Sequence, residues 1–156
     1  MNATRMLTAA ATVATIIMGP AIAHAQEDLP PSVAARKAQM SLYAFNLGQL
    51  GAMAKGEVDY DADAATAAAS NLVKLSSLAA GPMWVPGTDT ESIDGTRALP
   101  ALWENMADVV EKATAVNEAA VAMEAAAGES LEGLQGAMAG LGQACGSCHK
   151  AYREPN

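Results

Sequence analysis

The chain is 156 residues long, 51% hydrophobic but only 4% aromatic, and carries a formal charge of −8 at pH 7. That length suits one domain around a single core. The acidic balance argues against nucleic acid and anionic membrane surfaces as partners. Abundant alanine with few aromatics favours closely packed helices over a β-sandwich.

Residues 1–25 read as an export signal. Arg5 gives a positive start, Leu7 to Met18 form a short apolar run broken by Gly19-Pro20, and Ala23-His24-Ala25 is a small-x-small cleavage site. The run is too short to span a membrane, and no later segment comes near the needed length. The expected mature chain is one domain, 26–156, located in the periplasm. Loss of Arg5 from the 9 basic residues leaves 8 against 17 acidic ones, a net charge near −9.

Four helical segments follow, separated by turn signals. The first is expected from an N-cap at Ser32 to about Lys55-Gly56, with Val33, Arg36, Met40, Tyr43, Leu47, Leu50 and Ala54 on one stripe. The second begins after the carboxylates of 59–63, which suit a helix N-terminus. It carries Leu72, Leu75 and Ala79 and stops at Gly81-Pro82. A loop over 81–98 is unusually long for so small a bundle. The third helix starts near Pro100 and shows Leu102, Met106, Val109, Ala113, Val116, Ala120 and Met123. Ser130 caps the fourth, whose stripe is Leu131, Leu134, Met138, Leu141, Cys145, Cys148 and Tyr152. Gly133, Gly136, Gly140, Gly142 and Gly146 interrupt that helix at about 1 kcal/mol each relative to Ala. Such a density implies close approach by a bulky group or by a neighbouring backbone.

The motif richest in chemistry is Cys145-Gly146-Ser147-Cys148-His149. A C-x-x-C-H pentapeptide is a covalent haem attachment pattern. Its two thiols can add to two vinyl groups of one porphyrin, and the adjoining imidazole falls beneath the iron. Without His24, two Cys and one His are too few for an ordinary zinc site. A dithiol redox motif would need a βαβ context, for which no strand pattern is found. A plain Cys145–Cys148 disulfide in an exported interaction protein is the rival reading. No paired carboxylates, nucleophile–base arrangement or phosphate loop points to an enzyme. The fold expected is all-α, an antiparallel four-helix bundle with covalently bound haem c.

Four stretches carry a family resemblance: Arg36-Lys37-Ala38-Gln39-Met40, Gly51-Ala52-Met53-Ala54-Lys55-Gly56-Glu57, Pro100-Ala101-Leu102-Trp103-Glu104, and Cys145 through Arg153. With these, and with C-x-x-C-H at its carboxy terminus, the chain resembles the class II cytochromes c, which include cytochrome c' and its low-spin relatives. The resemblance implies one haem c on Cys145 and Cys148, His149 as proximal iron ligand, and Arg36 beside a propionate. A basic residue at Arg153 borders the proximal pocket in that family. Low-spin members use a methionine at the place of Met40 as sixth ligand. The function so implied is a monohaem cytochrome of the periplasm in single-electron transfer, low-spin with His149 and Met40 as axial ligands and redox proteins as partners. The alternative is a c'-type, five-coordinate protein binding NO or CO. The family also allows a homodimer through the first two helices, onto which Phe45 could face.

Overall fold

The computed structural model describes residues 29–155, so the export-signal reading of 1–25 lies outside the described residues. The helices are α1 (Pro31–Ala54), α2 (Ala62–Ser76), α3 (Ala101–Glu104), α4 (Met106–Ala127) and α5 (Leu131–Tyr152). The four long ones form the expected bundle, with α4 packed extensively on α5 and α2, and α1 on α2 and, less extensively, α5. No β-strand is formed among the described residues, and no helix there is long and apolar enough to cross a membrane.

Local chemistry sets the helix ends. Helix α1 starts two residues earlier than a Ser32 cap predicts, because Pro31 has its φ preset and lacks the N–H that a first turn leaves unpaired. The Pro30 carbonyl instead accepts from the Val33 and Ala34 amides at 2.8 and 3.0 Å. At its other end the Gly56 amide reaches the Met53 carbonyl and the Glu57 amide the Ala52 carbonyl, at 3.1 and 2.9 Å. This paired closure needs Gly56 at φ 71°.

Helix α2 is capped by Asp61, whose carboxylate accepts from the Ala64 amide at 2.9 Å. It ends at Ser76, short of the expected Ala79. The hydroxyls of Ser76 and Ser77 both donate to the Val73 carbonyl, a local alternative to continuing the helix. The predicted third helix is broken at Asn105, which leaves helical geometry at φ −124°, ψ 40° while its side-chain amide donates to the Ala101 carbonyl. One consequence is that Met106, expected on the core stripe, is 39% exposed. Ser130 caps α5 as expected, its hydroxyl accepting from the Gly133 amide at 3.0 Å.

The main core joins Leu50 and Met53 of α1, Ala65, Ala68, Ala69 and Leu72 of α2, Ala120, Met123 and Ala127 of α4, and Leu134 and Leu141 of α5. Alanines on α2 let α4 approach closely, while each fully buried leucine contributes roughly 2 kcal/mol. A second, smaller cluster of Ala98, Leu102 and Tyr152 sits at the opposite end, against Trp84, Trp103, Val109 and Cys148. The division matters because Cys148 packs against this second cluster.

Helices α1 and α5 run antiparallel in a register that can be read from three places. Gln135 donates its amide to the Ala54 carbonyl at 2.8 Å. The Met138 methyl lies beside Gly51. Tyr43 is near enough to Cys145 for the thiolate charge to act on its phenol. Extending the same steps sets Met40 level with Cys148–His149, and Arg36 level with Tyr152–Arg153.

Candidate functional site

The last two turns of α5 present Cys145, Cys148 and His149 half-buried, on the face the helical spacing predicts. The two thiols are not joined to each other. Burial pushes both up from the ordinary cysteine range, and for Cys148 the charges of Asp108 and Cys145 add to that against the opposing pull of Lys112. Burial chiefly, then the charges of Arg153 and Arg97, pulls the His149 imidazole down. A neutral imidazole keeps the lone pair that a metal requires. Among the described residues no group of three or more His, Cys, Asp or Glu is gathered to hold a metal by itself.

Tyr152, one turn beyond Cys148, is buried and donates to Asp108 Oδ2 at 2.5 Å. Lys112 holds the other carboxylate oxygen of Asp108 at 3.1 Å. Both partners hold that carboxyl below the usual carboxylate range, the Tyr152 bond foremost.

The long loop closes this end of the bundle, and Arg36 is its anchor. The residue is 3% exposed. It donates to the Thr88 hydroxyl at 2.7 Å, the Thr96 hydroxyl at 2.6 Å, the Met83 carbonyl at 3.4 Å, and the Thr88 carbonyl. Its central carbon lies 5.2 Å from the Trp84 ring and 5.7 Å from the Trp103 ring, a distance at which the aromatic quadrupoles attract a cation. Trp103 in turn donates its indole N–H to the Trp84 carbonyl at 3.0 Å. The loop then reaches α5: the Leu99 amide bonds the Tyr152 carbonyl and the Glu154 amide the Arg97 carbonyl, at 3.0 and 2.9 Å. This cage explains the loop's length. Neither Trp84, Thr88 nor Thr96 carried a sequence signal, since their role exists only once the loop has folded over Arg36.

Met40 is 38% exposed and belongs to neither buried cluster. The expected inward stripe of α1 therefore holds at Val33, Arg36 and Leu50 but not at Met40. The direct α1–α5 contacts at Ala54–Gln135 and Gly51–Met138 lie toward the other end of the pair. The neighbouring-backbone half of the glycine expectation holds at one position of α5. Only Gly133 meets a backbone, a Cβ there falling 2.8 Å from the Ala126 carbonyl oxygen. Gly136, Gly140, Gly142 and Gly146 are exposed, with open space where a Cβ would stand.

The donor set fits a covalently held haem: two separate thiols one turn apart, a neutral imidazole next to the second, and an aromatic and aliphatic cluster beside them. Comparison with known proteins agrees. The family model described as Cytochrome C' matches residues 32–153. The chain is 41% identical to "Cytochrome c-554" of Cereibacter sphaeroides over 96% of its length and 98% of that protein. It is 39% identical to "Cytochrome c'" of the same organism, over 90% and 95% of the two chains. Among solved structures, cytochrome c' from Rhodobacter Spheriodes superposes with a TM-score of 0.78 at 41% identity, covering 80% of this chain and 96% of that one. The chain belongs to the cytochrome c' family of class II cytochromes c, four-helix-bundle proteins whose cofactor is one covalently attached haem c.

Proposed function

We propose that this protein is a c'-type haem protein of the periplasm, in which Cys145 and Cys148 carry the haem, His149 is the proximal ligand, and small gases such as NO or CO reach the distal side. When bound, the haem supplies a one-electron couple and an iron able to take a diatomic gas. The observation carrying the reading is the match to the family described as Cytochrome C', with a relative and a solved structure named cytochrome c' at 39% and 41% identity. The remaining residues act on the proximal side. Burial and the two arginines keep His149 neutral, and the Tyr152–Asp108 bond holds the last turn of α5 against α4. Arg36, whose guanidinium already serves the loop, would border the propionates by presenting that loop to them. Arg153 would edge the proximal pocket.

The second reading is the low-spin electron carrier with Met40 and His149 as axial ligands. It is favoured by the helix register, which sets Met40 level with Cys148–His149. Met/His ligation raises the potential and closes the iron to gases. Absorption spectra of the ferric and ferrous protein, with and without CO, decide between the two. A broad high-spin spectrum that shifts with CO supports the first reading. Sharp reduced bands indifferent to CO support the second.

A homodimer is part of the proposal. Phe45 is 65% exposed and Val58 53%, and they line one groove with Gly48 and Ala52. One solved cytochrome c', 29% identical with a TM-score of 0.73, shows ligand-controlled dimer dissociation. Sedimentation velocity with and without CO tests the parallel.

A further inference from the structure

The chain holds three tyrosines and two tryptophans, the aromatic side chains that can lose an electron to a strong oxidant. Three of these, Tyr152, Trp84 and Trp103, meet in the small cluster against which Cys148 packs. In a chain with so few aromatics, this concentration lies at the cysteine that anchors the cofactor. The surroundings of each ring decide which one gives up an electron.

A phenol is oxidised readily only when its proton can leave with the electron, which requires a base already in place. Tyr152 has one. Its hydroxyl donates to Asp108 Oδ2 at 2.5 Å, and the ring is 7% exposed. Lys112 takes the other carboxylate oxygen at 3.1 Å and helps to keep Asp108 ionised. That lysine also makes the carboxylate a weaker base. A phenol radical cation, however, is a far stronger acid than any carboxylic acid, so the proton still passes to Oδ2.

The other rings are placed differently. Tyr60 donates to the Ala127 carbonyl, and Tyr43 has the Ser76 hydroxyl as its side-chain partner. The Trp103 indole N–H donates to the Trp84 carbonyl. Carbonyls and hydroxyls accept a hydrogen bond but do not keep a proton at neutral pH. Arg36 lies 5.2 Å from the Trp84 ring and 5.7 Å from the Trp103 ring, so an indole radical cation would face a fixed positive charge. The guanidinium steers oxidation away from both tryptophans, and the carboxylate draws it to Tyr152.

We propose that Tyr152 is a redox-active residue, giving one electron to the haem and its phenolic proton to Asp108 when the protein reduces hydrogen peroxide. The inference rests on the c'-type reading, in which the iron is open to a small molecule. One peroxide accepts two electrons, one from the ferrous iron and one from Tyr152. With two protons from solvent it leaves as two waters, and the iron ends ferric. Tyr152 becomes a neutral phenoxyl radical and Asp108 a carboxylic acid. The buried site therefore holds no new charge, which a low-dielectric interior would penalise. A one-electron donor later restores the phenol, and Asp108 returns the proton.

The test is rapid-freeze electron paramagnetic resonance of the ferrous holoprotein mixed with hydrogen peroxide. Ring-deuterated tyrosine identifies the radical by its narrowed hyperfine pattern. A tyrosyl signal is expected in the unsubstituted protein and not in Tyr152→Phe. Asp108→Asn keeps an oxygen acceptor for the phenol but cannot hold its proton, and should form the radical roughly a hundredfold more slowly, the low end of what a placed base contributes. Tyr43→Phe/Tyr60→Phe leaves Tyr152 as the remaining tyrosine, and the signal should persist, a check that does not depend on Tyr152→Phe folding. A signal that survives in Tyr152→Phe, belongs to tryptophan, disappears from Tyr43→Phe/Tyr60→Phe or forms equally fast in Asp108→Asn overturns the proposal. CO binding to the same ferrous samples reports the state of the iron separately. Where CO binds and no tyrosyl radical forms, the proposal fails alone; where CO does not bind, the c'-type reading fails and the peroxide step with it.

Discussion

Tyr152 and Asp108 share a 2.5 Å hydrogen bond that ties the last turn of α5 to the first turn of α4, beside Cys148. The bond raises the Tyr152 phenol to about 12, with burial adding to it. A raised folded-state value means the contribution is complete below the unfolded tyrosine pKa of about 10 and is lost as pH climbs toward 12. Asp108 works in the opposite sense. Its carboxyl is held low, so its share is present above the unfolded value and lost as the pH falls through the lowered one. We expect urea midpoints to fall between pH 9 and 12, and Tyr152→Phe to lose part of that dependence. Tyr43, raised to about 12 chiefly by burial, keeps the rest. An unchanged pH profile in Tyr152→Phe would show that the bond does not contribute to stability.

Arg36 should be intolerant of even its nearest substitute. Lysine keeps the charge but cannot serve Thr88 and Thr96 together while lying flat between Trp84 and Trp103. Arg36→Met leaves buried acceptors unpaired, at a loss of about 2–4 kcal/mol. Arg36→Lys should recover less than half of it by chemical denaturation. Hydrogen exchange should quicken at Thr90, Leu99 and Glu154, whose amides hold the loop in place.

Two glycines predict opposite outcomes. A Cβ on Gly128 would lie 2.2 Å from the Thr66 hydroxyl, so Gly128→Ala should destabilise by about 1–3 kcal/mol. Adding Thr66→Ala should restore most of that, a coupling visible in a double-mutant cycle. Gly140 has open space around the same atom, and Gly140→Ala should stabilise by up to about 1 kcal/mol through helix propensity alone. If Gly140→Ala instead displaced the haem spectrum, the glycines of α5 would have a cofactor role after all.

Met40→Ala separates the two ligation readings. If Met40 does not bind the iron, the ferric spectrum and CO affinity of the variant should match those of the unsubstituted protein within about twofold, a difference of about 0.4 kcal/mol. Conversion from a low-spin to a high-spin spectrum, with CO binding newly gained, would establish Met40 as the ligand.

Much of this was already legible in the chain. The C-x-x-C-H spacing names its cofactor, because two thioethers and an imidazole must meet one porphyrin at that interval. The three-and-four steps of Leu134, Leu141, Cys148 and Tyr152 place the motif on the inward face of the last helix, since helical periodicity is a local property. Only the tertiary structure decided the rest. Whether Met40 is covered depends on where α1 and α5 touch, and periodicity marks a face without saying what lies opposite. The cage around Arg36 depends on Thr88 and Thr96, 52 and 60 residues away along the chain. Local spacing determines which groups a helix presents; their partners are set by how distant segments close around them.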